Sequence, residues 1–139
     1  MRGIRVSARS EYGLRAMVYL AGQDADRAVP LREIARVEEI PAPFLERILA
    51  QLRDGGLVTT VRGVHGGYVL ARPPAEVPVG DVVAAVEGRL SIIDCLSAEG
   101  ECSRADGCVS QLAWRRLEEA IAASLREISL DDLLREAKA

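Results

Sequence analysis

The sequence predicts a mainly α-helical protein, a winged helix-turn-helix with a two-stranded β wing and a long C-terminal helix. Three observations lead to this prediction. Two short helical segments are separated by a turn that contains proline, a β-branched hairpin with a glycine-rich turn follows them, and a long segment with an apolar stripe lies near the C-terminus. Aromatic residues are only 4% of the 139 residues, so the core must be built from Leu, Val, Ile and Ala, which favours helices.

Residues 9 to 23 are predicted to form a largely buried first helix. Apolar side chains recur there at helical spacing; they are Tyr12, Ala16, Tyr19 and Leu20, with Leu14, Met17, Val18 and Ala21 widening the face. Ser10 is the expected N-cap, and Gly22 is expected near the end of the helix.

A helix-turn-helix pattern comes next. Residues 31 to 38 begin a second helix, and Pro41 and Pro43 break it. Pro43 can occupy the first turn of a third helix that stops at Gly55 and Gly56. Ile40 is the expected apolar plug of the turn. The third helix is expected to bury Phe44, Leu45, Ile48, Leu49 and Leu52 and to be the recognition helix.

A predicted two-stranded hairpin follows this pair of helices. Residues 57 to 62 are β-branched and alternating, GVHGG can turn sharply, and residues 68 to 73 read as a second strand. A hairpin directly after a helix-turn-helix is typical of a winged helix.

The second half of the chain is predicted to hold a short helix within residues 77 to 88 and a longer one over residues 109 to 128. Leu117, Ile121, Leu125 and Ile128 form one stripe on the longer helix, with Leu112, Ala113 and Ala120 beside it. Because only the short tail after residue 128 remains to cover the stripe, we expect it to pair with a second copy in a homodimer. The alternative is that this helix folds back on its own chain. The predicted division is a DNA-binding domain over residues 1–73 and a sensing and dimerisation region over residues 74–139.

Charge is distributed unevenly along the chain. Residues 1–73 contain eleven arginines and eight acidic residues, whereas residues 74–139 contain seven basic and thirteen acidic residues. Arginine suits bidentate contact with phosphates and guanine edges, so the first half is the candidate for binding a double-stranded DNA operator. No apolar run approaches the roughly 20 residues needed to cross a bilayer, so we expect no membrane partner and a cytoplasmic location.

The three cysteines of the chain, Cys95, Cys102 and Cys108, lie close together in one polar stretch that contains glycine. Three thiolates from one loop suit a soft metal or an iron-sulfur cluster, and an odd number of thiols argues against a disulfide framework. Two alternatives remain: a structural zinc site, or redox-active thiols that form a reversible disulfide. An enzyme is not expected, because the sequence has no nucleophile and base pair and no glycine-rich phosphate loop.

The chain resembles the Rrf-two-type winged-helix transcription regulators, which include the iron-sulfur cluster regulator and the nitric-oxide-sensing repressor. The resemblance covers essentially the whole chain. It is carried by the segment from Ser7 to Leu20, the helix-turn-helix run, the cysteine loop and an R-G-x-x-G-G-Y wing matched by Arg62, Gly63, Gly66, Gly67 and Tyr68. It implies a DNA-binding transcriptional regulator.

The resemblance also implies a site for a 2Fe-2S or 4Fe-4S cluster. Its sulfur ligands would be Cys95, Cys102 and Cys108. The best-known cluster regulators have a histidine three residues after the last cysteine, where this chain has Gln111. Other members use a carboxylate near the start of the first helix of the partner subunit, and that position is Glu11 here.

For DNA contact, the resemblance points to Glu46 and Arg47 on the recognition helix and Arg62 in the wing, and His65 at the wing tip is a further candidate. Pro41 and Pro43 replace two serines of the cluster regulator, so a different operator is expected. The hypothesis is that cluster state sets DNA affinity. The alternative is a cluster-free regulator of the same fold that responds through thiol redox, zinc, a metabolite or a partner enzyme.

Overall fold

The computed structural model describes residues 6–88 and 109–138. The first half contains helices α1 (Ala8–Ala21), α2 (Leu31–Glu38) and α3 (Ala42–Asp54), followed by strands β1 (Val58–Val61) and β2 (Gly67–Leu70). A short 3-10 turn (Pro74–Glu76) then leads to helices α4 (Val79–Glu87), α5 (Gln111–Glu127) and α6 (Leu130–Lys138). The predicted fold class, a mainly helical winged helix with a two-stranded wing, is confirmed.

Helix α1 begins earlier than its sequence indicated, and the prediction of Ser10 as the N-cap is wrong. Ser7 has the extended backbone of an N-cap, and its Oγ accepts a hydrogen bond of 3.2 Å from the backbone N–H of Ser10. Ser10 lies inside the first turn and is buried, and its hydroxyl donates to Glu87 Oε1 at 3.1 Å. The physical reason is that Ser10 has a buried partner on another helix.

Helices α2 and α3 form the predicted helix-turn-helix. Glu39 ends α2 in the left-handed conformation at φ 54°, and Ile40 is buried in the turn as expected. Pro43 lies in the first turn of α3, where its missing N–H costs no helical hydrogen bond. Leu45, Ile48, Leu49 and Leu52 are buried as predicted, whereas Phe44 is only partly buried. Each buried side chain of this size stabilises the fold by about 1.5–3 kcal/mol.

The wing is an antiparallel pair in which Val58 lies opposite Leu70 and Val61 lies opposite Gly67. It is fixed to the segment before α2, because the backbone N–H of Val29 donates to Tyr68 O at 2.9 Å and that of Tyr68 donates to Val29 O at 2.8 Å. The wing therefore continues into the body of the domain and does not project as an isolated hairpin.

The C-terminal tail, which was predicted only to be short, forms helix α6. Ser129 Oγ accepts from the Asp132 backbone N–H at 3.0 Å, and Asp132 Oδ2 accepts from the Ser129 N–H at 2.9 Å. This reciprocal capping box starts α6, and Leu130 at its first position is fully buried. Leu130 belongs to the same core as Met17, Ile34 and Leu49, so residues from both halves of the chain build one core.

None of the helices within residues 6–88 and 109–138 combines the length and apolarity needed to cross a bilayer.

Candidate DNA-binding surface and sensing segment

Recognition helix α3 separates its apolar and polar residues on two faces. The apolar residues of its inner face are buried, and α3 packs against α1, α2 and α4, whereas Glu46 and Arg47 are exposed. Within the described part of the chain, neither Glu46 nor Arg47 forms an ion pair or a side-chain hydrogen bond. Both charged groups are therefore available to contact base edges or phosphates.

The wing tip owes its shape to glycine. The backbone N–H of Gly66 donates to Gly63 O at 3.0 Å and closes a turn whose central residues are Val64 and His65. A Cβ on Gly66 would lie 2.1 Å from Val61 O, so no other residue fits there without moving the backbone. Arg62 and His65 are exposed, and Val64 is 95% exposed.

The recognition helix and the wing are joined directly. After α3 ends, the backbone N–H of Leu57 donates to Leu52 O at 2.9 Å, and β1 starts at the next residue. The two elements that carry the four candidate DNA contacts, Glu46, Arg47, Arg62 and His65, therefore form consecutive parts of one packed unit.

Glu11 lies in the first turn of α1, and its side chain is 61% exposed. Its closest charged partner is Arg15, one helical turn later, with 3.9 Å between Glu11 Oε1 and Arg15 Nη1. Such an exposed pair contributes at most about 1 kcal/mol. The carboxylate can therefore turn toward another cation at little cost.

Cys95, Cys102 and Cys108 lie outside the described residues, and within residues 6–88 and 109–138 no group of His, Cys, Asp and Glu is arranged to hold a metal ion. The last described residues before the cysteines belong to the end of α4. Helix α4 ends at Glu87, which accepts the Ser10 hydroxyl and lies 3.8 Å from Arg9 Nη2. The end of α4 thus lies beside the start of α1, which carries Glu11.

Gln111 is the first residue of α5 and is 5% exposed. This is the position at which the resemblance led us to look for histidine. A carboxamide is a poor ligand for iron compared with a thiolate or an imidazole. Gln111 therefore does not match the histidine ligand of the best-known cluster regulators.

Helix α5 carries apolar side chains that its own chain leaves exposed. Leu112 is 59% exposed and Trp114 is 44% exposed, and Leu117 and Ile121 of the predicted stripe are only partly buried. At the other end of the helix, a bridge between Pro78 and Ser129 ties the chain to α4. Trp114 was not among the residues predicted for the stripe, although it lies three residues before Leu117 on the same helix.

Arg15 also forms contacts that were not predicted from the sequence. Its guanidinium donates to the backbone carbonyl of Glu38, and its Nε lies 3.6 Å from Glu38 Oε1. The spacing of Glu11 and Arg15 on one helix could have indicated their pairing, but no local pattern connects Arg15 with a residue 23 positions later.

Known proteins similar to this chain are regulators. The Rrf2 family model, described as iron-dependent transcriptional regulator, matches residues 6–136. The HTH-type transcriptional regulator IscR of Serratia proteamaculans is 34% identical over 131 residues, which are 94% of this chain and 79% of that protein. Protein rrf2 of Nitratidesulfovibrio vulgaris is 32% identical over 134 residues, which are 96% of this chain and 89% of that protein.

Solved structures agree with these relatives. T. potens IscR superposes with a TM-score of 0.80 at 35% identity, covering 97% of this chain and 89% of that one. CymR, the global cysteine regulator of B. subtilis, superposes with a TM-score of 0.76 at 29% identity, covering 94% and 96%. These relatives are transcriptional regulators, so the expectation that the chain is not an enzyme is confirmed. The chain belongs to the Rrf2 family of transcriptional regulators.

Proposed function

We propose that this regulator is a homodimer whose affinity for a double-stranded DNA operator is controlled by an iron-sulfur cluster. Cys95, Cys102 and Cys108 of one subunit would hold the cluster, with Glu11 of the partner as the fourth ligand. The observation that carries this proposal is that Glu11 is an exposed and weakly paired carboxylate on the surface of α1, where a second subunit can approach it. The family model's description as an iron-dependent regulator supports it.

DNA binding is assigned to residues 1–73, with Glu46 and Arg47 reading the major groove and Arg62 and His65 contacting the minor groove or its phosphates. The exposure of all four side chains supports this assignment. Arginine beside flexible glycines suits a narrow minor groove, where the negative potential is enhanced. Glutamate can accept from the amino group of cytosine.

Sensing and dimerisation are assigned to residues 74–139. The exposed Leu112 and Trp114 support pairing of α5 with the same helix of a second copy, since burying them would remove apolar surface from water. Dimerisation would place two recognition helices on two half-sites of an operator.

When bound, the cluster would supply a centre whose oxidation and iron content respond to the cell. The chain's own residues would convert that state into DNA affinity. Glu11 would give the centre an oxygen ligand, which is harder than a thiolate and exchanges more readily. Helix α1, which carries Glu11, packs directly against α3, so its position matters to the recognition helix.

A cluster-free regulator that responds through cysteine oxidation is the second candidate. One solved relative favours it: the oxidized form of Staphylococcus aureus CymR superposes with a TM-score of 0.74 at 29% identity, covering 94% of this chain. In that mechanism two of the three thiols would form a reversible disulfide.

An anaerobic ultraviolet-visible spectrum with iron and sulfide analysis decides between the two. We expect visible absorption with matching iron and sulfide in the wild type, and the ratio per chain gives the number of irons. Cys95→Ala is expected to abolish the absorption and leave a folded dimer, while Ser97→Ala in the same segment leaves it unchanged. A colourless protein that iron and sulfide cannot reconstitute would rule out the cluster proposal.

A further inference from the structure

Arg15 on α1 contacts two carboxylates, one on its own helix and one at the end of α2. One is Glu11, the proposed cluster ligand, at 3.9 Å, and the other is Glu38, the last residue of α2, whose Oε1 lies 3.6 Å from Arg15 Nε. One guanidinium therefore lies between the candidate ligand and the helix-turn-helix.

The contact with Glu38 acts on the turn itself. The Glu38 backbone carbonyl is one of the last four of α2, which have no partner within the helix, and Arg15 supplies a donor to it. The next residue, Glu39, is the one non-glycine residue with positive φ in the described part of the chain. Arg15 thus holds the end of α2 just where the backbone bends toward the recognition helix.

Arg15 is also linked to the start of α3, through the ring of Tyr12. Its Cζ lies 5.4 Å from the centroid of the Tyr12 ring. Tyr12 in turn meets Phe44, in the first turn of α3, edge to face with 5.4 Å between ring centroids. The end of α2 and the start of α3 are both within the reach of this one cation and its neighbouring ring.

The two carboxylates compete unequally for Arg15. The Glu38 side chain is 24% exposed and the Glu11 side chain 61% exposed, so water screens the pair with Glu11 more strongly. When the Glu11 carboxylate binds elsewhere, the guanidinium interacts with Glu38 alone.

We propose that Arg15 is a positioning residue that transmits the occupation of the Glu11 carboxylate to the turn between α2 and α3. The inference rests on the proposed function for the ligand role of Glu11, but the contacts of Arg15 do not depend on a cluster. When Arg15 no longer pairs with Glu11, its interaction with Glu38 becomes stronger and the turn between α2 and α3 becomes more stable. Without Arg15, the state of Glu11 has no effect on this turn.

The test uses hydrogen exchange of the Ile40 amide in cluster-free, full-length protein. This amide donates to Ala35 O at 3.0 Å and reports on the closed turn. Glu11→Gln removes the competing charge and is expected to slow the exchange by about two- to five-fold, the range typical of exposed ion pairs. In an Arg15→Gln background the same change is expected to have no effect.

Arg9→Gln is the matched control, because Arg9 lies on the same helix and pairs with Glu87, away from the turn. The effect of Glu11→Gln should persist in this background. An equal effect of Glu11→Gln with and without Arg15, or no effect in the wild-type background, would overturn the proposal.

A second measurement uses operator DNA selected from a random-sequence library with the wild-type protein. Arg15→Gln is expected to reduce the ratio of affinities between cluster-loaded and cluster-free protein by about two- to five-fold, with the cluster spectrum retained. An unchanged ratio would count against Arg15. A wild-type protein that holds no cluster would contradict the proposed function. The exchange experiment would still test whether Arg15 couples Glu11 to the turn between α2 and α3.

Discussion

Tyr19 and Glu33 connect α1 to α2 through a hydrogen bond of 2.5 Å, in which the phenol donates to Glu33 Oε2. Arg27, in the connection between the helices, donates to the other oxygen of the same carboxylate at 2.5 Å. The bond from Arg27 and then the bond from Tyr19 lower the pKa of Glu33, and the bond to Glu33 raises the pKa of Tyr19. The ionised form of Glu33 is therefore a structural element of the helix-turn-helix.

The stability of the protein should depend on pH through Glu33. Because the pKa of Glu33 is lower in the folded state, its contribution is fully present above the unfolded value of about 4.3 and is lost as the pH falls through the folded value. Urea unfolding of wild type and Glu33→Gln at pH 7 and pH 4 should give a free-energy difference that shrinks at the lower pH. Exposed Glu46→Gln is the control, and an equal shrinkage there would contradict the assignment.

Glu39→Gly should stabilise the protein by about 0.5–1 kcal/mol. A side chain in the left-handed region costs roughly 1–2 kcal/mol, and glycine avoids this cost but loses more entropy on folding. Glu39→Ala keeps the strain and should stay near the wild-type stability. Thermal unfolding of the three proteins tests this, and an equal gain for alanine and glycine would show that strain is not the cause.

Gly67→Ala should destabilise the protein by about 2 kcal/mol or more. A Cβ there would lie 2.3 Å from the Val29 carbonyl oxygen, which accepts the Tyr68 N–H, so the wing would have to move off Val29. At Gly56, with φ 76°, a Cβ meets nothing within 4 Å, and alanine there should cost only about 1 kcal/mol of backbone strain. Denaturant unfolding of both variants compares them, and similar losses would contradict the close approach.

Arg47→Ala and Arg62→Ala should weaken DNA binding in different ways. Loss of a base contact by Arg47 should cost about 1–3 kcal/mol and relax preference at one base pair, whereas loss of a backbone contact by Arg62 should lower the salt dependence by about one counterion. Titrations at several salt concentrations measure both. Arg135→Ala, on α6 and paired with Asp131 and Asp132, is the control and should leave binding unchanged.

Trp114→Glu should weaken the proposed dimer, because it would place a charge in an apolar helix interface. Sedimentation over a range of concentrations should show more monomer for this variant. Val64→Glu, which alters an apolar side chain that is more exposed but lies on the wing, is the matched control. A dimer that persists with Trp114→Glu would move the interface away from this face of α5.

The fold could be predicted from the sequence because its signals are local. Proline and glycine mark the ends of α2 and α3, and the alternation of β-branched residues marks the wing. Ser10 misled the prediction because the spacing of Ser7 and Ser10 allows either to cap α1, and only the buried partner Glu87 separates them. The start of α6 was readable in the S-L-D-D pattern, which is a capping box.

The candidate site was less predictable. The exposure of Glu46 and Arg47 follows from helical periodicity. The ligand role of Glu11 was implied by the family resemblance and not by any pattern in the sequence. The link from Arg15 to Glu38 depends on how α1 crosses the helix-turn-helix, which no sequence spacing encodes. Long-range contacts between charged side chains have no periodic signature, because they depend on where two separately formed helices meet.

The burial of Leu130 sets an order of events during synthesis. This side chain fills the core beneath α1, and its backbone N–H donates to Val77 O at 3.0 Å. A ribosome must therefore release the chain beyond α5 before the DNA-binding half can close its core. Residues 89–108, which contain all three cysteines, have been synthesised by then, so the core of the DNA-binding half is completed only after the cysteine-containing stretch has been made.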